Sequence, residues 1–307
     1  MRRAATAAGS VLLAACSVVP PGAGPVETVQ AVPAPVRVNP TPTPVPTPTP
    51  TPTGPTTFVY AGQLTQGGWI RGQVPGGTVS ARLGDQALTV DATGHFLAAF
   101  DRDAGPTAQL VATLADGRQV ISSFAIAPRA WQIERVNVAR SPGGSTAAFM
   151  ELRRPELARI NAARVAEAPS EGWRHNFIWP AQGRISGRFG SQRIYRGGEE
   201  GAYHSGLDIA GGGGTVYVAP ADGVVTLAAT TPFSLEGYLL IIDHGQGLNS
   251  AFLHSSSLMV REGDVVRQGQ PLGRIGATGR ATGPHLHWSI KWRDARLDPL
   301  LFLPPQS

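Results

Sequence analysis

The chain has 307 residues and a formal net charge of +5. Its 38 glycines and 27 prolines disfavour helices, and strand-forming Val, Ile and Thr are frequent, so the composition predicts a β-rich protein of one large or two modest domains. The positive charge is dispersed: Lys291 is the only lysine, and no run of arginines is interleaved with aromatic residues, which argues against a nucleic-acid partner.

Residues 1–16 have the features of a bacterial export signal. Two arginines follow Met1, a short apolar segment comes next, and Leu-Ala-Ala-Cys ends at Cys16, the only cysteine. This apolar segment is too short to cross a bilayer as a retained helix. The last four residues resemble a lipobox, which implies a lipoprotein signal peptide and lipidation of Cys16. A secreted protein with an incidental cysteine is the alternative.

Lipidation of Cys16 would anchor the protein to a membrane. Ser17, rather than Asp, follows the cysteine and resembles an outer-membrane sorting signal, so the predicted location is an outer-membrane lipoprotein facing the periplasm. Residues 17–57 are rich in Thr and Pro, most strongly at 39–55, and favour an extended polyproline II tether. At about 3.1 Å per residue, such a tether would reach on the order of 100 Å.

Residues 58–128 are predicted to form a small immunoglobulin-like β-sandwich. Short apolar segments alternate there with Gly- and Asp-containing turns, which is typical of this architecture. The predicted strands cover residues 58–60, 69–74, 87–90, 95–100, 109–114 and 119–126. His95 has no partner histidine nearby, so a structural or surface role is expected for it.

Residues 129–172 are predicted to be a short helical connector. Residues 155–168 are rich in helix formers, with Pro155 at a plausible first-turn position and Pro169 as the stop. The apolar stripe of this helix is narrow and is expected to pack against one of the flanking domains; its members are Leu157, Ile160 and Ala163.

Residues 173–307 are predicted to form an all-β domain of antiparallel type. Glycine-rich joints separate the predicted strands, which cover residues 184–189, 215–218, 223–229, 238–243, 248–254, 265–266, 274–275 and 285–292. The last strand alternates between polar and apolar residues. Its apolar side chains should therefore face a core, with His285 and His287 together on the opposite face.

Three residues of this domain have the chemistry of a metal site. His204 and Asp208 are four residues apart in an extended segment and can converge on one ion, and His287 would complete a set of two nitrogens and one oxygen. Three protein ligands with a fourth position left to water characterise catalytic zinc sites. A polar strand face with incidental histidines is the alternative. Because the chain has no HExxH motif, His254 and His285 are the candidate general bases.

The same residues resemble those of LytM/lysostaphin-type zinc metallopeptidases of bacterial cell walls. The motifs are H-x-x-x-D at 204–208, a histidine at 254 and GATGRATGPHLHW at 276–288, and the resemblance covers about residues 179–299. It implies a lysostaphin-type peptidase domain over 173–307. It further implies zinc bound by His204, Asp208 and His287, with His254 and His285 as catalytic residues.

The family cleaves stem peptides or cross-links of peptidoglycan, so the resemblance implies a zinc-dependent endopeptidase of the cell wall. The alternative is a catalytically silent member that activates cell-wall amidases, with a cell-wall or divisome protein as partner. A wall-binding scaffold is a third reading. Phe252 and Ser255 depart from the family's usual Tyr-Ala-His-Leu around the mid-domain histidine. His244, at a turn, is expected to be structural, and Glu199 and Glu200 are expected to lie in a solvated loop.

Overall fold

Antiparallel β-strands make up most of the structure, a computed structural model that describes residues 53–139 and 146–306. The predicted signal peptide, the lipidation site Cys16 and the tether before residue 53 lie outside the described residues. Within these two ranges, no helix combines the length and the apolar character needed to span a bilayer. The predicted all-β fold class is confirmed, with one α-helix among the described residues.

Seven strands form an N-terminal β region with two sheets, in the orders β1-β2-β5 and β4-β3-β6-β7. The strands are β1 (Val59–Gly62), β2 (Trp69–Gln73), β3 (Thr78–Leu83), β4 (Gln86–Ala87), β5 (His95–Ala99), β6 (Thr107–Leu114) and β7 (Gln119–Ala125). Aromatic contacts join the sheets, since the Tyr60 and Phe124 rings lie 5.3 Å apart. The sequence did not predict β3, whose buried apolar side chain is Ala81 alone.

The connector contains β8 (Ile133–Arg135) and helix α1 (Ala147–Val165). The prediction that the helix starts near Pro155 is wrong: Thr146 caps it, accepting a hydrogen bond from the Phe149 N–H at 3.1 Å, and Pro155 lies inside. The early turns were missed because their large apolar side chains are partly or fully exposed and form no stripe. The helix ends at Val165, before the predicted stop at Pro169.

Helix α1 packs against the C-terminal domain, as its apolar stripe predicts. Ile160 and Ala163 contact an apolar cluster formed by Leu227, Ala229, Phe233, Leu239, Ile241, Ala251 and Leu253. Leu157, the third predicted member of the stripe, is instead 37% exposed. The packed face is therefore narrow, and polar contacts described below complete the attachment of the helix.

The C-terminal domain is built on an eight-stranded antiparallel sheet. The domain has twelve strands in all: β9 (Arg184–Gly187), β10 (Gln192–Ile194), β11 (Leu207–Ala210), β12 (Val216–Val218), β13 (Gly223–Ala228), β14 (Tyr238–Asp243), β15 (Leu248–Ser255), β16 (Ser257–Leu258), β17 (Val265–Val266), β18 (Pro271–Arg274), β19 (Leu286–Trp292) and β20 (Ala295–Leu297). The large sheet has the order β17-β13-β14-β15-β19-β11-β9, with β20 also paired to β19, and β12-β18-β16 form a second sheet. Short 3-10 helices lie at Gly172–Arg174, Arg196–Gly198 and Pro299–Phe302.

Two features of this domain bear on the predictions. Strand β10 lies outside the large sheet and pairs in parallel with β8 of the connector, an exception to the predicted antiparallel arrangement. Strand β19 lies between β15 and β11, and its apolar side chains are buried as predicted, with Leu286, Trp288 and Ile290 fully inaccessible. The opposite face of β19 is therefore left for the histidines.

The N-terminal β region and the C-terminal domain share one continuous apolar core. The Trp69 indole N–H donates to the carbonyl of Leu301 at 3.0 Å, and the Trp69 ring lies 5.1 Å from that of Phe302. Arg129 forms an ion pair at 2.8 Å with the carboxylate of Asp298, which is only 1% exposed. The two regions belong to one compact unit, Pro50–Ser307.

Candidate metal centre

The three predicted metal ligands come together on one face of the large sheet. Asp208 lies on β11 and His287 on β19, and the two are direct cross-strand partners. His204 lies in the loop before β11. Because side chains of paired residues project from the same face of a sheet, this pairing places carboxylate and imidazole side by side.

Their ligand atoms form a compact triangle. His204 Nε2 lies 3.1 Å from Asp208 Oδ1 and 3.1 Å from His287 Nδ1, and His287 Nδ1 lies 2.8 Å from Asp208 Oδ1. Ligands bound at 2.0–2.1 Å to a tetrahedral zinc ion lie roughly 3.3 Å from one another. The triangle therefore fits zinc, which His204, Asp208 and His287 would hold when it is bound.

Local contacts orient the ligands of this triangle. His204 Nδ1 lies 3.1 Å from the carbonyl oxygen of Arg188, a contact in which Nδ1–H donates; the Nε2 lone pair is available to a metal ion when Nε2 carries no proton. Two glycines allow the close approach: a Cβ on Gly187 would lie 2.3 Å from Asp208 Oδ2, and one on Gly206 would lie 2.6 Å from His287 Nε2. Sequence reasoning assigned no role to either glycine, since a glycine gives no chemical signal of what it adjoins.

The protonation states of two of the three ligands, Asp208 and His287, suit metal binding. Burial alone would raise the pKa of the Asp208 carboxyl, but hydrogen bonds from His204 and His287 outweigh it and hold that pKa well below its usual range. Burial lowers the pKa of His287. For His204, burial is outweighed by the hydrogen bond with Asp208, which raises its pKa. Asp208 is therefore ionised and His287 neutral at neutral pH, the forms in which these side chains bind metal ions.

The two predicted catalytic histidines lie next to the triangle. The His254 ring centroid is 4.9 Å from that of His285 and 6.2 Å from that of His287, and His285 Nε2 is 3.7 Å from Asp208 Oδ1. His254 Nδ1 contacts the Thr278 carbonyl at 2.9 Å, and His285 Nδ1 contacts the Gly283 carbonyl at 2.8 Å. In each ring the Nδ1–H donates to a carbonyl, so Nε2 is free for proton transfer.

The residues that depart from the family pattern around His254 belong to the core. Phe252 is fully buried and stacks between Tyr217, at 5.4 Å, and Trp288, at 6.5 Å. The hydroxyl of Ser255 lies 2.8 Å from that of Tyr217, also in the interior. Together these substitutions form one matched packing arrangement, with a hydroxyl pair at its edge.

An open groove of about 1700 Å³ leads to the triangle; its lining includes His204, Asp208, Arg188, Tyr195, Arg280 and Glu134. Four connector residues supply part of one wall: Gln132, Glu134, Val138 and Ala139. Glu134 pairs there with Arg193 at 2.7 Å. The sequence did not predict this wall, because β8 has only three residues, all exposed. Glu199 also lines the groove, as a member of the loop before His204.

His244 has the structural role predicted for it. Its side chain is fully buried, with Nδ1 2.7 Å from the Asp222 carbonyl and Nε2 2.8 Å from the Ser250 hydroxyl. Burial lowers its pKa to about 4, so the ring is neutral in the folded protein. His95 contacts the Thr93 hydroxyl at 2.8 Å in the N-terminal β region and takes no part in the triangle.

Known proteins resemble the C-terminal part of the chain. The family model for peptidase family M23 matches residues 202–299. The chain is 36% identical over 139 residues to the murein hydrolase activator NlpD of Salmonella dublin, covering 45% of this chain and 33% of that protein. It is 37% identical over 107 residues to the peptidoglycan DD-endopeptidase ShyA of Vibrio cholerae, covering 35% of this chain and 24% of that protein.

A solved structure resembles a larger part of the chain. A crystal structure assigned to peptidase M23 from Pseudomonas aeruginosa superposes with a TM-score of 0.59 at 27% identity, covering 78% of this chain and 95% of that one. By contrast, this chain spans about a third or less of the length of the curated relatives NlpD and ShyA. Residues 202–299 of the chain therefore match peptidase family M23.

Proposed function

We propose that the protein is a zinc-dependent endopeptidase that hydrolyses peptide bonds of peptidoglycan during cell-wall remodelling. One observation carries the proposal: His204, Asp208 and His287 present three ligand atoms within 3.1 Å of one another, with two further imidazoles beside them. The set of two nitrogens and one oxygen matches the three protein ligands of catalytic zinc sites, in which a fourth position is left to water.

The two adjacent histidines supply the proton transfers of amide hydrolysis. When bound, zinc provides Lewis-acid activation of water and of the scissile carbonyl. The Nε2 atoms of His254 and His285 are the sites that accept a proton from the attacking water and deliver one to the leaving amine. A protonated Nε2 also donates a hydrogen bond to the developing oxyanion. The carbonyls of Thr278 and Gly283 hold both rings in the required tautomer.

The groove suits an extended peptide, because it is open and presents charged groups of both signs near the triangle. Export and lipid anchoring at Cys16 remain part of the proposal and would place the domain at peptidoglycan in the periplasm. A curated lipoprotein NlpD/LppB homolog of Pseudomonas aeruginosa, 36% identical over 145 residues, supports this location.

The second candidate function is activation of a cell-wall amidase without hydrolysis by this chain. It is favoured by the similarity to NlpD, which is described as a murein hydrolase activator. In this reading, the partner would be a cell-wall or divisome protein. Retention of all five histidine and aspartate positions favours the enzyme.

The decisive experiment measures zinc content and digestion of purified sacculi by the full chain, with mass analysis of the released muropeptides. His204→Ala should abolish zinc binding, whereas His254→Ala should keep the zinc and abolish peptide release. His95→Ala, a histidine of the N-terminal β region, is the matched control and should retain both properties. If the wild-type chain binds no zinc and releases no peptide, yet stimulates an amidase, the activator function replaces the enzyme.

A further inference from the structure

Arg153 of helix α1 is a buried cation that connects the connector to a loop of the C-terminal domain. It is 5% exposed, and its guanidinium donates two hydrogen bonds to the carboxylate of Glu236, at 2.7 and 2.6 Å. A second carboxylate, that of Glu156 on the same helix, also accepts from Arg153. The neighbouring Arg154 is exposed and contacts Glu151 instead.

The helix holds this loop at two points. Glu156 accepts hydrogen bonds from the backbone N–H and the hydroxyl of Ser234, both at 2.6 Å. Glu236, two residues further, is held by the bidentate contact with Arg153. Paired hydrogen bonds between a guanidinium and a carboxylate fix orientation as well as distance. The polar side of α1 therefore fixes the loop segment 234–236 that joins β13 to β14.

This segment holds the backbone of His254. The carbonyl of Glu236 accepts a hydrogen bond from the His254 N–H at 2.8 Å. His254 has a φ of 66°, in the left-handed region, and lies where the pairing of β14 with β15 shifts between Tyr238 and Leu240. A non-glycine residue in this region is strained and keeps the conformation only where its surroundings enforce it.

The opposite side of His254 is held by the loop before β19. The His254 Nδ1 contacts the Thr278 carbonyl at 2.9 Å. The Thr278 hydroxyl in turn donates to the Ser255 carbonyl at 2.8 Å and accepts from the Tyr238 N–H at 3.0 Å. Thr278 therefore holds the ring, and its N–H also donates to the His254 carbonyl at 3.4 Å, whereas the His254 N–H is held by the Glu236 carbonyl. With both contacts in place, the His254 imidazole lies 4.9 Å from that of His285.

We infer that Arg153 is a positioning residue for His254. By fixing the Glu236 carboxylate, it fixes the Glu236 carbonyl and thereby the left-handed backbone that presents the His254 ring to the metal triangle. The inference rests on the proposed function, in which His254 transfers protons. Helix α1 thereby has a role beyond the apolar packing of Ile160 and Ala163 against the C-terminal domain.

Removing Arg153 should therefore affect His254 more than it affects the metal ligands. Without Arg153, the carboxylates of Glu156 and Glu236, whose side chains are 13% and 16% exposed, would repel each other with no cation between them. The loop would then keep the hydrogen bonds from Ser234 to Glu156 and from the Arg280 N–H to the Leu235 carbonyl, but it would lose the side-chain anchor of Glu236, and the Glu236 carbonyl would shift. His204, Asp208 and His287 lie on other elements and keep their contacts.

The test compares Arg153→Met with Arg154→Met in the full chain, with histidine labelled in the imidazole ring. The seven histidines give few NMR signals, and His254→Asn identifies the signal of His254. Arg153→Met should shift the His254 signal, lower kcat at least tenfold with KM and zinc content unchanged, and leave the His95 signal in place. Arg154→Met should change none of these, and Arg153→Lys should recover part of kcat.

The following results decide whether Arg153 positions His254. An unchanged His254 signal in Arg153→Met, together with a lower melting temperature, would overturn it and leave Arg153 as a purely structural residue. If Arg153→Met does not fold, Glu236→Gln replaces it, and the same shift and loss of kcat are expected there. If the wild-type chain shows no peptidase activity, the proposed function fails, but the His254 signal still tests the positioning role.

Discussion

Gly187→Ala tests whether Asp208 holds a metal ion. The added methyl group would lie 2.3 Å from Asp208 Oδ2, 2.9 Å from Asp208 Cγ and 3.1 Å from His204 Cε1. Ordinary contact begins at 3.4 Å, so the carboxylate must move by about 1 Å. Gly187 has no positive φ, so the substitution acts through this contact and not through the backbone conformation.

The expected loss follows from the tolerance of metal ligands. Ligand atoms must lie within about 0.2 Å of their ideal distances, so a displacement of this size removes or weakens one of three protein ligands. Changes that misplace a ligand typically cost 10- to 100-fold in metal affinity, or about 1.4–2.8 kcal/mol. We therefore expect the zinc Kd of Gly187→Ala to rise at least tenfold, and zinc to stabilise the variant less against thermal unfolding than it stabilises the wild type.

The assay is competition for zinc between the full chain and a fluorescent chelator. Gly105→Ala is the matched control, because a Cβ there has no neighbour within 4 Å and the residue has no positive φ. Its zinc affinity should equal that of the wild type. Equal affinities for all three proteins would show that Asp208 does not bind the ion, and would refute the assignment of the triangle.

Three further predictions concern the core. The pKa of His244 is about 4 in the folded protein, against 6.5 for an unperturbed histidine, so the unfolded chain binds a proton at a higher pH than the folded one. The free energy of unfolding should therefore fall by about 3 kcal/mol as the pH drops from 6.5 to 4. Urea unfolding of His244→Gln should show a weaker pH dependence over that range. Phe252→Tyr, which restores the family's residue, should lower stability in urea by roughly 1–3 kcal/mol, since the added hydroxyl enters a stacked, inaccessible site; unchanged stability would contradict the packing described. Trp69→Ala should lower the melting temperature of both the N-terminal β region and the C-terminal domain, because the indole donates to the Leu301 carbonyl and packs on Phe302. Two separate unfolding transitions would argue against a shared core.

The elements of the site that carry a chemical signal could be predicted from the sequence. Alternation in residues 285–292 predicts two histidines on one face: His287 in β19 and His285, just before the strand, both lie beside Asp208, and the apolar side chains of β19 are buried. Spacing suggested that His204 and Asp208 could meet, and the cross-strand pairing of Asp208 with His287 brings all three together. In each case a side chain of distinctive chemistry lay within a regular pattern.

The other features of the fold and of the site could not be predicted from the sequence, because they depend on contacts between segments that are distant along the chain. Nothing in the sequence around Arg153 distinguishes it from Arg154, yet one is buried against Glu236 and the other is exposed. The parallel pairing of β8 with β10 joins two three-residue strands that have no apolar alternation. Pro155 was read as a helix start by local rules, whereas tertiary packing and the Thr146 cap sustain the helix through it.

The alternation of polar and apolar side chains in β19 makes metal binding and core packing depend on the same strand register. A slip of one residue in strand pairing would turn Trp288 toward the groove and bury His287 in the core, so a misaligned sheet loses packing and ligand together. Correct alignment is thus the condition for metal binding, and zinc would selectively stabilise the chains that have achieved it. Insertion or deletion of a single residue within Leu286–Trp292 should consequently abolish both folding of the sheet and metal binding. Exposed turns such as the one at Asp116 should tolerate such changes.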